Sequence, residues 1–181
     1  TLHGDYSGVL LRTQTAIYLQ NSLKRGRLHK LSLMCLFLGR EATLILSQRL
    51  SQTSTLKRVD FYRSILEQGR DDDGKADAVS KLAKGLLENQ SITEVSITGS
   101  NLNDASLAAL SKSLADHSVL SRLSLEANIC RDESLQSLAS LLAAPSCILS
   151  HLNLTHQYSN SHDKMNLELL VDGLKQNESL E

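Results

Sequence analysis

The feature that most narrows the fold is a spacing of apolar residues that returns five times. Leu120, Leu123 and Leu125 form an L-x-x-L-x-L run, Asn128 follows three residues on, and Cys130 two after that. The same spacing reads Leu28, Leu31, Leu33; Leu56, Val59, Phe61; Ile92, Val95, Ile97; and Leu149, Leu152, Leu154. Successive first positions are 28, 36, 28 and 29 residues apart. The last two members of each run lie two residues apart, on one side of a strand; the first turns inward from the incoming loop. A second register repeats with it. Leu23, Leu50, Leu86, Leu114, Leu142 and Leu174 each fall five to seven residues before the next first position, and Leu19, Leu46, Leu82, Leu110, Leu138 and Leu170 lie four residues earlier. That spacing marks one face of a helix. A lone strand–turn–helix unit cannot bury both apolar faces, so the pattern predicts a stacked array.

On these residues the chain resembles the leucine-rich repeat family, and the 28- to 29-residue period with a full helix per unit is similar to the ribonuclease-inhibitor type. The resemblance implies an α/β solenoid shaped as a horseshoe, with an inner parallel sheet and outer helices. It also implies an intracellular protein. One domain is expected over residues 1–181: a partial repeat at 9–23, repeats starting near 28, 56, 92, 120 and 149, and a partial repeat at 180. Function does not follow, because the same fold serves inhibitors, innate immune sensors, Ran GTPase activators and cytoskeletal or centrosomal scaffolds.

Residues 1–8 carry no period and are expected to be irregular. Residues 9–23 read as helix, so the opening unit is expected to lack its strand. In the first full unit Leu36 stands where Asn128 stands in the fourth, which removes a side chain that bonds the turn backbone. The second unit is eight residues longer than its neighbours. Its extra length falls at Glu67 to Lys75, charged and glycine-bearing, and reads as an exposed loop. Asp104 and Asp132 precede helices, where a carboxylate accepts backbone N–H groups. Pro145 suits a helix stop, and the fifth helix is expected over Leu167 to Leu174. Leu180 falls where a sixth unit would begin, and a polar end cap is absent from both ends. This leads to the expectation that the chain is a segment of a longer protein, or that its caps are atypical.

Nineteen basic and twenty acidic residues give a net charge of -1, which argues against a dedicated nucleic-acid or membrane-surface binder. Aromatics make up 3% and Trp is absent, so a base-stacking platform is not expected. No apolar run is long enough for a membrane span. Cys35, Cys130 and Cys147 are odd in number; free structural thiols favour a reducing compartment, here the cytoplasm. Cys130 takes an inward position, as a small hydrophobe. Asn89, Asn153 and Asn177 open glycosylation-type triplets that read as chance occurrences.

Motifs for chemistry fail on their details. Gly69 to Lys75 reads G-x-x-x-x-G-K, but Ala76 replaces the magnesium-binding hydroxyl and Asp71, Asp72 and Asp73 would repel phosphate. The three aspartates lack the spacing of a calcium loop. Cys147, His151, His156 and His162 lack the short spacing of a structural zinc module. Serines are plentiful, yet none sits in G-x-S-x-G. The expectation is a protein with no catalytic residues, metal, cofactor or small-molecule substrate.

The side chains between the inward leucines form the stronger candidate. They line the concave face in three rows: Lys30, Arg58, Glu94, Arg122, His151; Ser32, Asp60, Ser96, Ser124, Asn153; and Met34, Tyr62, Thr98, Glu126, Thr155. Small polar residues in the middle leave room for a partner, and Tyr and Arg are common interface anchors. Lys30, Arg58, Tyr62, Arg63, Arg122 and Glu126 are therefore the candidate partner-binding residues of a non-catalytic protein–protein interaction module. The alternatives are a GTPase-activating or GTPase-regulating protein, or a structural segment of a larger immune, centrosomal, ciliary or cytoskeletal scaffold.

Overall fold

The computed structural model describes residues 2–3, 9–11, 13–66, 72–157 and 165–180. It opens with β1 (Leu2–His3), β2 (Val9–Leu11) and α1 (Thr13–Lys24). Two units of strand, short strand and helix follow: β3 (Lys30–Met34), β4 (Leu36–Leu38) and α2 (Arg40–Gln52), then β5 (Arg58–Tyr62), β6 (Ile65–Leu66) and α3 (Asp72–Leu87). The later units are simpler: β7 (Glu94–Thr98) and α4 (Asp104–Leu114), β8 (Arg122–Ser124) and α5 (Asp132–Leu142), and β9 (His151–Asn153) leading to a 3-10 turn at Leu167–Leu170 and α6 (Val171–Gln176).

The result is an α/β fold with a six-stranded parallel sheet, ordered β1-β3-β5-β7-β8-β9, and a three-stranded sheet, β2-β4-β6. The leucine spacing explains the arrangement. Leu31 and Leu33, Val59 and Phe61, Val95 and Ile97, and Leu123 and Leu125 are all buried under the helices. Helix leucines at the matching register, Leu46, Leu50, Leu82, Leu86, Leu110, Leu114, Leu138 and Leu142, meet them in one core. Helices stack closely where a side chain is missing. A Cβ on Gly85 of α3 would lie 2.3 Å from the Ser47 carbonyl oxygen of α2, and one on Gly173 would lie 2.4 Å from that of Ala139 in α5.

Two rows of polar side chains tie each unit to its predecessor. Before the first leucine of a unit, Asn89 is fully buried. Its amide nitrogen donates to the Leu50 and Thr53 carbonyls (2.5 and 2.6 Å), and its oxygen accepts from the Ser91 and Ile92 amides (both 2.7 Å). It thereby satisfies carbonyls at the end of α2 that the helix leaves unpaired. His117 and Asn177 accept from the two corresponding amides in their own units. After each strand, Ser64, Ser100, Asn128 and Gln157 form the second row. Each accepts from a backbone amide of the preceding unit, at Leu36, Ser64, Leu102 and Cys130 respectively. Leu36 breaks this row, and its own amide is held by the Ser64 hydroxyl instead.

Between strand and second row the backbone turns left-handed in the five units from β3 onward, at Cys35 (φ 55°), Arg63 (48°), Gly99 (61°), Ala127 (55°) and His156 (56°). Four of these residues carry a Cβ and meet the steric cost of that region. Cross-unit hydrogen bonds oppose that cost: the amides of Cys35, Arg63, Gly99 and Ala127 donate to the carbonyls of Tyr62, Thr98, Glu126 and Thr155.

Several expectations are corrected. The opening unit keeps its strand: β1 pairs with β3, Leu2 opposite Leu33, and residues 9–11 are strand rather than helix. No period was visible because the step from His3 to Val9 is longer than that from Met34 to Leu36. Of the loop expected at 67–75, residues 67–71 lie outside the described residues, and Asp72 to Lys75 form the start of α3. Asp104 caps the next unit's helix, α5, rather than its own, accepting from the amides of Arg131, Glu133 and Ser134 at 2.8, 3.1 and 3.0 Å. Asn103 takes the expected role at α4, accepting from the Ser106 amide. In the fifth unit a 3-10 turn precedes a six-residue helix ending at Gln176. Among the described residues, no helix is long and apolar enough to cross a membrane.

Candidate functional site

The helices cover one face of the large sheet and leave the other open. Parallel pairing carries Lys30, Arg58, Glu94, Arg122 and His151 across the open face in one row. Neighbouring strands stand ~4.8 Å apart, so the row is ~19 Å long. Ser32, Asp60, Ser96, Ser124 and Asn153 form the adjacent row in the same register. Over the later strands the face sinks into a groove of about 460 Å³. Arg58, Arg122 and Glu126 line that groove, whereas Lys30, Tyr62 and Arg63 lie outside it.

Asp60 organises the charges at the near end. The Lys30 ammonium lies 3.0 Å from its carboxylate, the Arg58 guanidinium 2.8 Å away, and the Ser32 hydroxyl donates at 3.0 Å. Arg58 also reaches Glu94 at 3.1 Å. Burial is the largest single influence on the Asp60 carboxyl and pushes it up. The bonds from Arg58, Lys30 and Ser32 together outweigh burial and hold it below the usual carboxylate range. In turn Asp60 raises the pKa of Arg58. Two of the candidate cations are therefore engaged within the sheet, and their charges are fixed in position rather than free to search for a partner.

The other end behaves differently. Arg122 is exposed and, among the described residues, makes no ion pair. It stands between Glu94 and His151 in the row. Glu126 lies across the groove; its carboxylate contacts the His156 ring at 3.2 Å and accepts from the Asn153 amide at 3.2 Å. At the rim Tyr62 is 38% exposed. The Arg63 guanidinium carbon sits 5.4 Å from its ring centroid, a cation–π pair. The left-handed turn at Arg63 aims that side chain back over the tyrosine.

The six candidates thus fall into three sets: the Asp60 cluster with Lys30 and Arg58, the Tyr62–Arg63 pair at the rim, and Arg122 with Glu126 in the groove. Sequence reasoning missed Asp60 as the keystone. The available signal was its register, two residues from Arg58 on β5 and one strand from Lys30. The cysteine–histidine set is not drawn together: His151 bonds Ser150, His156 bonds Glu126, Cys147 accepts from Asn177, and His162 lies outside the described residues. Among the described residues no group of three metal-ligating side chains converges. Cys130 is buried and its thiol contacts the Ser134 hydroxyl; burial pushes that thiol up, away from the reactive thiolate. Asn89 is fully buried, so its triplet is closed to modification in the folded domain.

No protein-family model and no curated protein sequence matches the chain. Solved structures do. One titled "Leiomodin-1 Actin-Binding Site 2 (ABS2)" aligns with a TM-score of 0.57 at 16% identity, over 88% of this chain and 87% of that chain. The tropomodulin C-terminal domain of Caenorhabditis elegans aligns with a TM-score of 0.56 at 10% identity, over 90% and 92%. At such identities the likeness is one of fold. It corrects the resemblance drawn from spacing: the structural neighbours are leiomodin and tropomodulin domains, not ribonuclease-inhibitor-type repeats. The L-x-x-L-x-L run specifies a strand-and-helix unit, but it does not specify a uniform array. Here the second unit is long, short second strands accompany the first units, and the last helix has six residues.

Proposed function

We propose that this domain is a non-catalytic protein-interaction module of the cytoskeleton, acting in the cytoplasm, with actin as its partner. The units would stack into the curved solenoid that their spacing implies, with the partner seated on the open sheet face. One observation carries the reading: a row of charged side chains is held in fixed register along a groove, with Arg122 exposed inside it and in no ion pair among the described residues, and an exposed Tyr62–Arg63 pair at its rim. Preorganised charge lowers the ordering cost of binding, and Tyr and Arg are the usual anchors. Actin enters because one structural neighbour is described as an actin-binding site. No residue pattern here favours GTPase regulation over simple binding.

The test is affinity capture from cytoplasmic extract by the wild type and by Tyr62→Ala/Arg63→Ala/Arg122→Ala, with bound proteins identified by mass spectrometry. Arg58 is left intact because its removal would strip Asp60 of a partner and confound binding with stability. Actin retained by the wild type and lost by the variant, at equal melting temperature, supports the proposal. Equal capture by both overturns the face, and a partner other than actin overturns the assignment.

A further inference from the structure

The last unit exposes leucines at positions that the two preceding units bury. In α5, Leu135 and Leu142 are 0% and 1% exposed; in α4, Leu107 and Leu114 are 0% and 2%. Their register counterparts, Leu167 and Leu174, are 54% and 47% exposed, with Val171 beside them at 39%. In those earlier units each helix packs against the helical segment of the unit that follows. The same end of the molecule carries β9, an edge strand that, among the described residues, pairs with β8 alone and presents open peptide groups on its other side.

The residues after α6 repeat the bonds that open an earlier unit. The Asn177 amide nitrogen donates to the Leu142 carbonyl at 2.9 Å, and its oxygen accepts from Ser179 and Leu180 at 3.0 and 2.8 Å. The Ser179 hydroxyl donates to the Leu149 carbonyl at 3.0 Å. These bonds reproduce those of Asn89 and Ser91 at the entrance to β7, where Ser91 donates to the Leu56 carbonyl at 2.8 Å. Leu180 is thus held as Ile92 is held, at the first position of a unit.

We propose that this end face docks one further strand-and-helix unit of the chain's own repeat chemistry. Its strand would carry apolar residues in the one-four-six spacing and pair parallel with β9, and its helix would cover Leu167, Val171 and Leu174. The repeat–repeat interface of the earlier units continues across this face, which is what selects that occupant. A second copy related by a two-fold axis would bring β9 against β9 antiparallel, contrary to the parallel register that Asn177 and Ser179 set.

The test supplies such a unit from the protein itself. Residues 120–148 are appended after Ser179, so that a second copy of the Leu120 segment occupies the Leu180 position. The expected result is a rise in melting temperature of ~5 °C or more, with new hydrogen-exchange protection at the β9 amides. Leu167→Lys/Leu174→Lys should abolish that gain while changing the melting of the unextended chain by less than ~2 °C. The same segment added in trans as a peptide keeps the test independent of how the fusion folds, and its binding should be lost in the double variant. No stabilisation by the fusion together with no peptide binding overturns the proposal. So does a large loss of stability when the two leucines are changed in the unextended chain. Light scattering that shows a dimer of the unextended chain, dissociated by the double variant, assigns the face to a second copy instead.

Discussion

Replacing Asn89 by alanine removes a side chain that no water reaches and that holds four backbone groups at once. The Ser91 and Ile92 amides lose their acceptor, and the Leu50 carbonyl loses its donor. The Thr53 carbonyl keeps the Ser91 hydroxyl at 3.1 Å. Three backbone groups are therefore left buried and unpaired. At ~1 kcal/mol or more for each, the expected loss is ~3–5 kcal/mol, a large part of the stability of a domain this size. Asn177→Ala is the internal control. Asn177 makes the corresponding bonds but is only half-buried, so water can replace them and the loss should be ~1 kcal/mol. Urea unfolding followed by circular dichroism reads both, with equal slopes confirming that the unfolded states are comparable. A cost below ~1 kcal/mol at Asn89, or no difference from Asn177, would refute the reasoning that this row clamps unit to unit.

Leu123→Ala should cost ~2–5 kcal/mol, since the side chain is 2% exposed, whereas Ser124→Ala on the open face should change little; urea midpoints compare them. Gly85→Ala forces a methyl group against the Ser47 carbonyl and should cost ~1–3 kcal/mol by separating α2 from α3, read by thermal melting against a helix-surface alanine control. His117 gives a pH dependence. Burial is the main cause that holds its imidazole below the usual range, opposed by the Leu86 carbonyl, and its ring nitrogen accepts from the Val119 and Leu120 amides. A depressed folded-state pKa means that the unfolded chain takes the proton first. Its contribution is thus complete above about pH 6.5 and is lost as pH falls through the folded value. Urea midpoints should fall between about pH 7.5 and 5.5 in the wild type and stay flatter in His117→Asn, which keeps the acceptor role that Asn89 plays.

The spacing of leucines carried most of the fold, because a period-two strand and a 3.6-period helix leave different marks in one unit. It also aligned Lys30, Arg58, Glu94, Arg122 and His151, since register follows from the first leucine. What spacing could not carry was pairing between side chains on different strands. Arg58 read as a free contact, yet it reaches Glu94 on β7, and Lys30 on β3 reaches Asp60 on β5. Asp104 read as the cap of its own helix, yet its carboxylate reaches the next unit. The left-handed row was hidden for another reason: glycine marks it only at Gly99, and cross-unit hydrogen bonds support it at Cys35, Arg63 and Ala127. At the start, β1 and β2 escaped because the spacing between them differs from that between β3 and β4.

The proposed role of the open sheet face is to bind a protein, with actin as the candidate. Titration of labelled actin, as monomer and as filament, against the wild type and Tyr62→Ala/Arg63→Ala/Arg122→Ala tests it most directly. The expected result is saturable binding by the wild type that weakens with added salt, and a loss of at least ~10-fold in the variant at unchanged melting temperature. Binding of equal strength by both proteins, or none by either form of actin, would contradict it.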